Sequence, residues 1–195
     1  MTFRLGLTGS IGMGKSTAAG FFRAEGLEVW DADAAVHRMY APGGAAVAAI
    51  ADLCPQAILG GGVSRDQLKQ AIAATPALLP QIETRVHPLV AQDRAAFLAQ
   101  ARSDIVVLDI PLLFEKGTEA EMDATLLVTA PARLQRQRVL ARPGMTDETL
   151  RLILSRQMPD AEKRARATHI VETLALDQTH SYIRALIAYI RSQNA

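Results

Sequence analysis

The stretch GLTGSIGMGKST, residues Gly6–Thr17, decides how the rest of the chain is read. Its core fits G-x-x-x-x-G-K-[ST], with Gly9, Gly14, Lys15 and Ser16 at the fixed positions and Ser10, Ile11, Gly12 and Met13 between them. Upstream, FRLGLT (Phe3 to Thr8) alternates apolar with polar or small residues and predicts a short strand. Downstream, KSTAAGFFRAEG lacks proline, sets Ala18, Phe21 and Phe22 at helical spacing and ends on Gly26, which predicts a helix with a glycine stop. In a strand–glycine loop–helix unit the backbone amides turn inward and form an anion nest at the positive end of the helix. Lys15 then neutralises terminal phosphates and the Ser16 hydroxyl, followed by Thr17, is placed to ligate Mg²⁺. A flexible glycine turn is the competing reading, and both flanks argue against it.

The chain has 195 residues, 49% of them hydrophobic, enough for a substantial core in one domain with inserted subregions. A formal net charge of +1 argues against a protein built to hold nucleic acid or an anionic membrane, since those show a strong basic excess. The single cysteine, Cys54, has no partner for a disulfide or a metal pair, which suits a reducing, cytoplasmic setting. No signal region precedes the first strand, and no apolar run approaches the ~20 residues a bilayer requires, so a soluble protein is expected.

Four further strands are expected: LEVWDAD (Leu27 to Asp33), DIVVLDI (Asp104 to Ile110), ATLLVTA (Ala124 to Ala130) and THIVET (Thr168 to Thr173). Alternation with helical stretches predicts an α/β fold, a doubly wound parallel five-stranded sheet with helices on both sides. The core is 1–33, 104–130 and 168–195. The stretch 34–103 is long enough for a substrate-binding insertion, largely helical but broken at APGG (41–44), PQAILGGG (55–62), Pro76 and Pro80. The stretch 131–167, rich in arginine, reads as a helix–loop–helix lid with Thr146 as an N-cap and Asp147 and Glu148 in the following turn. Ile183, Leu186, Ile187 and Ile190 form one apolar helical face for core packing.

In an open parallel sheet ligands lie beyond the carboxyl ends of the strands. Gly9, Asp31, Asp33 and Asp109 are therefore expected at one edge. Asp33 reads as the general base for an attacking hydroxyl, against an equally weighted reading as N-cap of a helix starting near Ala34. Asp31 holds the loop or assists Mg²⁺. Asp109 closes an apolar strand in the manner of an acid that serves Mg²⁺. Most arginines of 131–167 read as solvated helix faces, while Arg142, beside the RPGM break, is the one chosen to reach over the phosphates. His37, His169 and His180 show no ligand pattern, and His87, before Pro88, reads by itself as a loop or helix-start residue.

Taken together, GLTGSIGMGKST, DAD at 31–33, HPLV at 87–90, LDIPLLFE at 108–115 and LARPGMTDE at 140–148 resemble the dephospho-coenzyme A kinase family, in order and spacing across nearly the whole chain. The resemblance implies a P-loop kinase fold and transfer of the γ-phosphate of ATP to the ribose 3′-hydroxyl of dephospho-coenzyme A, with Mg²⁺ and with no obligatory protein partner. It implies that residues 9–17 bind ATP, that Lys15, Asp33 and Arg142 are catalytic, and that Ser16 and Asp109 serve the metal. It also implies that Asp33, His87 and the segment Pro111, Leu112, Leu113, Phe114 and Glu115 bind the acceptor. Two stretches depart from the family pattern: AAVHRMY after DAD leaves only Arg38 where an Ala-Arg pair is usual, and ATHIVET replaces a form ending in asparagine, so no adenine-side contact is assigned near Thr173. Another small-molecule kinase, such as a nucleoside monophosphate kinase, is the alternative. A GTP-binding switch requires an N-K-x-D motif, which the chain lacks.

Overall fold

A computed structural model describes residues 2–194. In chain order the elements are β1 (Phe3–Thr8), α1 (Lys15–Ala24), β2 (Glu28–Asp31), α2 (Ala32–Tyr40), α3 (Val47–Leu53), β3 (Ile58–Leu59), β4 (Gly62–Val63), α4 (Arg65–Ala74), α5 (Leu78–Gln100), β5 (Ile105–Asp109), β6 (Ala124–Thr129), α6 (Ala132–Leu140), α7 (Asp147–Leu154), α8 (Asp160–Arg166), β7 (His169–Glu172) and α9 (Leu176–Gln193). Two compact units are present. One holds the described residues up to Trp30 together with those from Ala101 onward, and the other is Asp31–Gln100.

The first unit is built on a five-stranded sheet in the order β2-β5-β1-β6-β7. Its central strand pairs in parallel on both sides, Leu5 with Val107 of β5 and with Ala124 of β6, and β6 pairs in parallel with β7. Every residue of β5 and β6 is buried, as expected where both faces are covered. On one face, alternate strand residues Leu5, Leu7, Val107 and Val128 pack with Phe22 of α1 and with Ile183, Leu186, Ile187 and Ile190 of α9. Each such fully buried side chain is worth about 1.5–3 kcal/mol over exposure. The opposite face approaches Gly6 so closely that a Cβ there would meet Met122 Cγ at 2.9 Å and Leu113 Cδ2 at 3.0 Å. The expected glycine stop is present, with the Gly26 and Leu27 amides bonding back to the Arg23 and Phe22 carbonyls at 3.0 and 3.1 Å. Glu28 receives the Arg102 and Ser103 amides at 2.7 and 2.8 Å and so fixes where the chain re-enters the sheet before β5.

The second unit buries Ile50, Ala57, Val63, Leu68, Ile82 and Val86. Three expectations are corrected here. The second strand stops at Asp31 instead of running to Asp33, because the Asp31 side chain accepts the Ala34 amide at 2.9 Å and starts α2. The glycine-rich break at 55–62 contains a small antiparallel hairpin, Ile58 opposite Val63. The helix α5 begins just before Pro80, where a missing amide costs nothing in a first turn, and continues through Pro88, so His87 lies inside a helix and not in a loop. In the first unit, 131–167 forms three helices instead of two, because Asp160–Arg166 adds one after Pro159.

Burial predicts a contrast in stability. Phe22→Ala is expected to cost about 3–5 kcal/mol, whereas Leu79→Ala, at a side chain 45% exposed, should stay within about 0.5 kcal/mol. Urea unfolding midpoints of the two variants measure this, and equal shifts would refute the assignment of Phe22 to the core.

Candidate active site

The glycine-rich loop starts where β1 ends. Met13 N–H closes a turn on the Ser10 carbonyl at 3.1 Å, and α1 opens at Lys15. Gly12 and Gly14 stand at φ +75° and +93°, the left-handed region that side chains resist. Space makes the same demand, since a Cβ on Gly9 would lie 2.6 Å from the Val128 carbonyl oxygen and one on Gly12 would lie 2.5 Å from Val139 Cγ2. The loop is therefore clamped against β6 and α6. Gly14 precedes α1 and no side chain caps that helix, so the amides of its first turn are left for an anion.

Lys15 leads that turn, and its ammonium pairs with the carboxylate of Asp109, the last residue of β5. Asp109 is only 2% exposed, and the pair relieves what would be the large cost of an isolated buried charge. Ser16 and Thr17 follow, both exposed. Among the described residues no three acidic, histidine or cysteine side chains cluster as a metal site. Mg²⁺ takes one or two protein oxygens and completes its shell with phosphates and water. Ser16 and Asp109 fit such a role, because Asp109 already meets the residue next to Ser16.

The segment after β6 holds the loop. The Ile11 carbonyl receives Gln135 Nε2 of α6 at 2.8 Å, and the Ile11 amide donates to Gln157 Oε1 at 3.2 Å, from the bend between α7 and α8. Arg138 donates to Thr173 Oγ1 and to the Thr173 carbonyl at 2.8 and 2.5 Å, while Thr173 Oγ1 donates to the Met13 carbonyl at 2.8 Å. Beside this chain of bonds lies a cleft of about 300 Å³, lined among others by Gly12, Gly14, Thr17, Arg138, Arg142 and Thr173. Arg142 is exposed and starts a turn closed by Met145 N–H on the Arg142 carbonyl at 3.2 Å, with Pro143 and Gly144 at its centre.

The segment Pro111–Glu115 divides by burial. Leu113 and Phe114 are 0% and 2% exposed and anchor the segment from beneath. Pro111, Leu112 and Glu115 are partly exposed. Glu115 Oε1 accepts the Met158 amide at 2.8 Å and lies 2.8 Å from Nζ of Lys163, which is fully buried. That second contact is one of charges rather than an aligned hydrogen bond, and Glu115 Oε2 has no hydrogen-bond partner among the described residues. Burial raises the Glu115 pKa, but the Lys163 ammonium and the Met158 amide outweigh it and hold the carboxyl below the usual glutamate range.

In the second unit, Asp31 holds the capping place weighed for Asp33. Asp33 is exposed in the first turn of α2. His87 is 56% exposed, 4.0 Å from Glu83 one turn earlier on α5, and Arg38 of α2 binds Asp93 of α5 at 2.9 Å. The sequence does not single out Gln135 or Gln157, places Arg138 in a stretch whose arginines read mostly as solvated helix faces, and leaves Thr173 without an assigned contact. Thr173 was accessible by the strand-end rule, since it directly follows β7, whereas the two glutamines carry no signal in their neighbours.

A central parallel strand running into an amide nest, closed by a lysine at the start of a helix, defines a P-loop nucleotide-binding fold. A crystal structure from Thermus thermophilus matches with a TM-score of 0.86 and 36% identity over 98% of this chain and 97% of that one. "Dephospho-CoA kinase from Campylobacter jejuni" shares the fold, with a TM-score of 0.73 and 20% identity over the full length of both. The chain belongs to the dephospho-CoA kinase family, whose model matches residues 3–176. A Cereibacter sphaeroides protein named dephospho-CoA kinase is 68% identical over 189 residues, 97% of this chain and 96% of that protein.

Because the Glu115 pKa is lowered in the folded state, its contribution is present above the unfolded value and is lost as pH falls through the folded one. Thermal midpoints are expected to drop below about pH 4.3, and Glu115→Gln should flatten that drop while lowering the neutral-pH plateau, since Lys163 keeps a buried charge. Parallel pH curves for the two proteins would refute this.

Proposed function

We propose that the chain transfers the γ-phosphate of ATP to the ribose 3′-hydroxyl of dephospho-coenzyme A, the final step of coenzyme A synthesis. The observation that carries this is the uncapped amide nest ahead of Lys15, paired to Asp109, in a chain of this family. The loop of residues 9–17, through the amides it leaves free, and Lys15 bind the phosphates, and the cleft bounded by Arg138 and Thr173 takes the nucleoside. Mg²⁺ supplies charge neutralisation on the phosphate oxygens when bound, and Ser16 and Asp109 would hold it.

Asp33 accepts the proton of the attacking hydroxyl. Its exposure and its freedom from the capping role, which Asp31 fills, support this reading. Phosphoryl transfer needs a positioned acceptor and stabilised charge more than a strong base, so one carboxylate suffices. Arg142 stabilises the charge of the transferring group from the rim of the same cleft. His87 and the accessible part of the Pro111–Glu115 segment bind the acceptor. We further propose three working parts, the core, the 34–103 insertion for the acceptor and the 131–167 lid, acting in the cytoplasm without a protein partner. A reduced, buried Cys54 supports that setting, and no helix among the described residues is long and apolar enough to cross a membrane.

Assays with ATP and candidate acceptors test the function: dephospho-coenzyme A should be phosphorylated, and turnover with a nucleoside monophosphate alone would overturn it. Asp33→Asn is expected to keep ATP binding while lowering kcat by about 10²- to 10⁴-fold, and a near-normal kcat would remove Asp33 from the mechanism. Lys15→Ala should cost a few kcal/mol of transition-state stabilisation. Arg142→Ala should lower kcat more than it raises the Kd for ATP, and the reverse pattern would make Arg142 a binding residue only.

A further inference from the structure

The crest of the phosphate loop is held in an unusual way. The backbone N–H and C=O of Ile11 both end on glutamine side chains, the amide on Gln157 Oε1 at 3.2 Å and the carbonyl on Gln135 Nε2 at 2.8 Å. Gln135 is 6% exposed and issues from a helix packed on Gly12, so it is part of the scaffold. Gln157 has no helix of its own and comes from the short bend between α7 and α8. The next residue, Met158, faces the other way and gives its amide to Glu115 Oε1 at 2.8 Å. Glu115 is in turn held by Lys163 of α8.

We propose that Gln157 is a positioning residue for phosphoryl transfer: it fixes the Ile11 peptide at the crest of the loop and, through Met158 and Glu115, registers that crest against the segment that follows β5. The geometry is specific. Residues 157 and 158 are consecutive, so the Glu115 carboxylate and the loop amide are joined through one peptide unit and the Gln157 side chain. The Ile11 amide is itself spent on Gln157, and fixing that peptide sets the path of the loop that follows it, whose remaining amides surround a transferring phosphoryl group; such preorganised donors act on the transition state more than on the bound substrate. Gln157 itself need not touch either substrate. The inference rests on the proposed reaction only for the identity of the acceptor.

The test compares the full-length protein with Gln157→Leu, which is one bond shorter and removes the acceptor atom, and with Gln157→Glu, which keeps an oxygen for the Ile11 amide. At saturating ATP and dephospho-coenzyme A, Gln157→Leu is expected to lower kcat by about 5- to 10-fold, the worth of one lost hydrogen bond of about 1 kcal/mol. The KM for dephospho-coenzyme A should change by less than about twofold, and the thermal midpoint by less than about 4 °C. Gln157→Glu should recover more than half of the lost kcat. A kcat for Gln157→Leu within about twofold of the parent overturns the proposal, as does a Glu variant no better than the Leu variant. If Gln157→Leu is too unstable to assay, the Glu variant decides alone, and a kcat below one tenth of the parent counts against the proposal. Failure of the parent protein to phosphorylate dephospho-coenzyme A would instead overturn the functional reading, and the same kcat comparison would then be made with the acceptor that is turned over.

Discussion

The structure depends on one steric constraint: the connection from β1 to α1 must pass where no side chain fits. Gly9 lies against the Val128 carbonyl and Gly12 against Val139, so the loop is pressed onto its neighbours from two sides. That pressing keeps the amides of the first turn of α1 in order with no ligand side chain to help, since the helix has no side-chain cap. An uncapped helix start is normally a cost, and here it leaves amides free for the proposed phosphate site. The fully buried neighbouring strands β5 and β6 give the loop a rigid base, which is why the site can be built from backbone groups that have no conformational freedom of their own.

Two ion pairs with a buried partner divide the charge of the first unit. Lys15 and Asp109 join the start of α1 to the end of β5 at the sheet edge where phosphate chemistry belongs. Glu115 and Lys163 lie deeper, and Lys163, fully buried, ties α8 to the segment after β5. Neither pair is strong evidence of stability, because desolvation cancels much of the attraction. Their value is in placement. Removing either partner leaves a charge with nowhere to go, so the geometry tolerates few alternatives.

The stretch 131–167 shows how composition misleads when it is read alone. Most of its arginines do lie exposed, Arg136 in a surface ion pair with Asp147 among them, while the half-buried Arg164 pairs with Asp160 and Glu172. Arg138 differs by position only. It faces the end of β7, where it holds Thr173, and that threonine in turn holds the Met13 carbonyl. The Thr173 hydroxyl thus both accepts from the guanidinium and donates to the loop.

The sequence by itself determined the strand–loop–helix unit, the α/β class with its five strands, the apolar face of α9 and the Thr146 cap, because each depends on residues within a few positions of one another. It also gave the order of motifs that marks the family, with Lys15, Ser16 and Asp109 among them. Only the tertiary structure decided that Asp31, and not Asp33, caps α2, that α5 continues through Pro88, and that Leu113 and Phe114 are core. It alone revealed that Gln157 reaches Ile11, a partner 146 positions away. Such contacts are chosen by how helices pack, and local spacing carries no information about which of several equivalent polar side chains will meet a given amide.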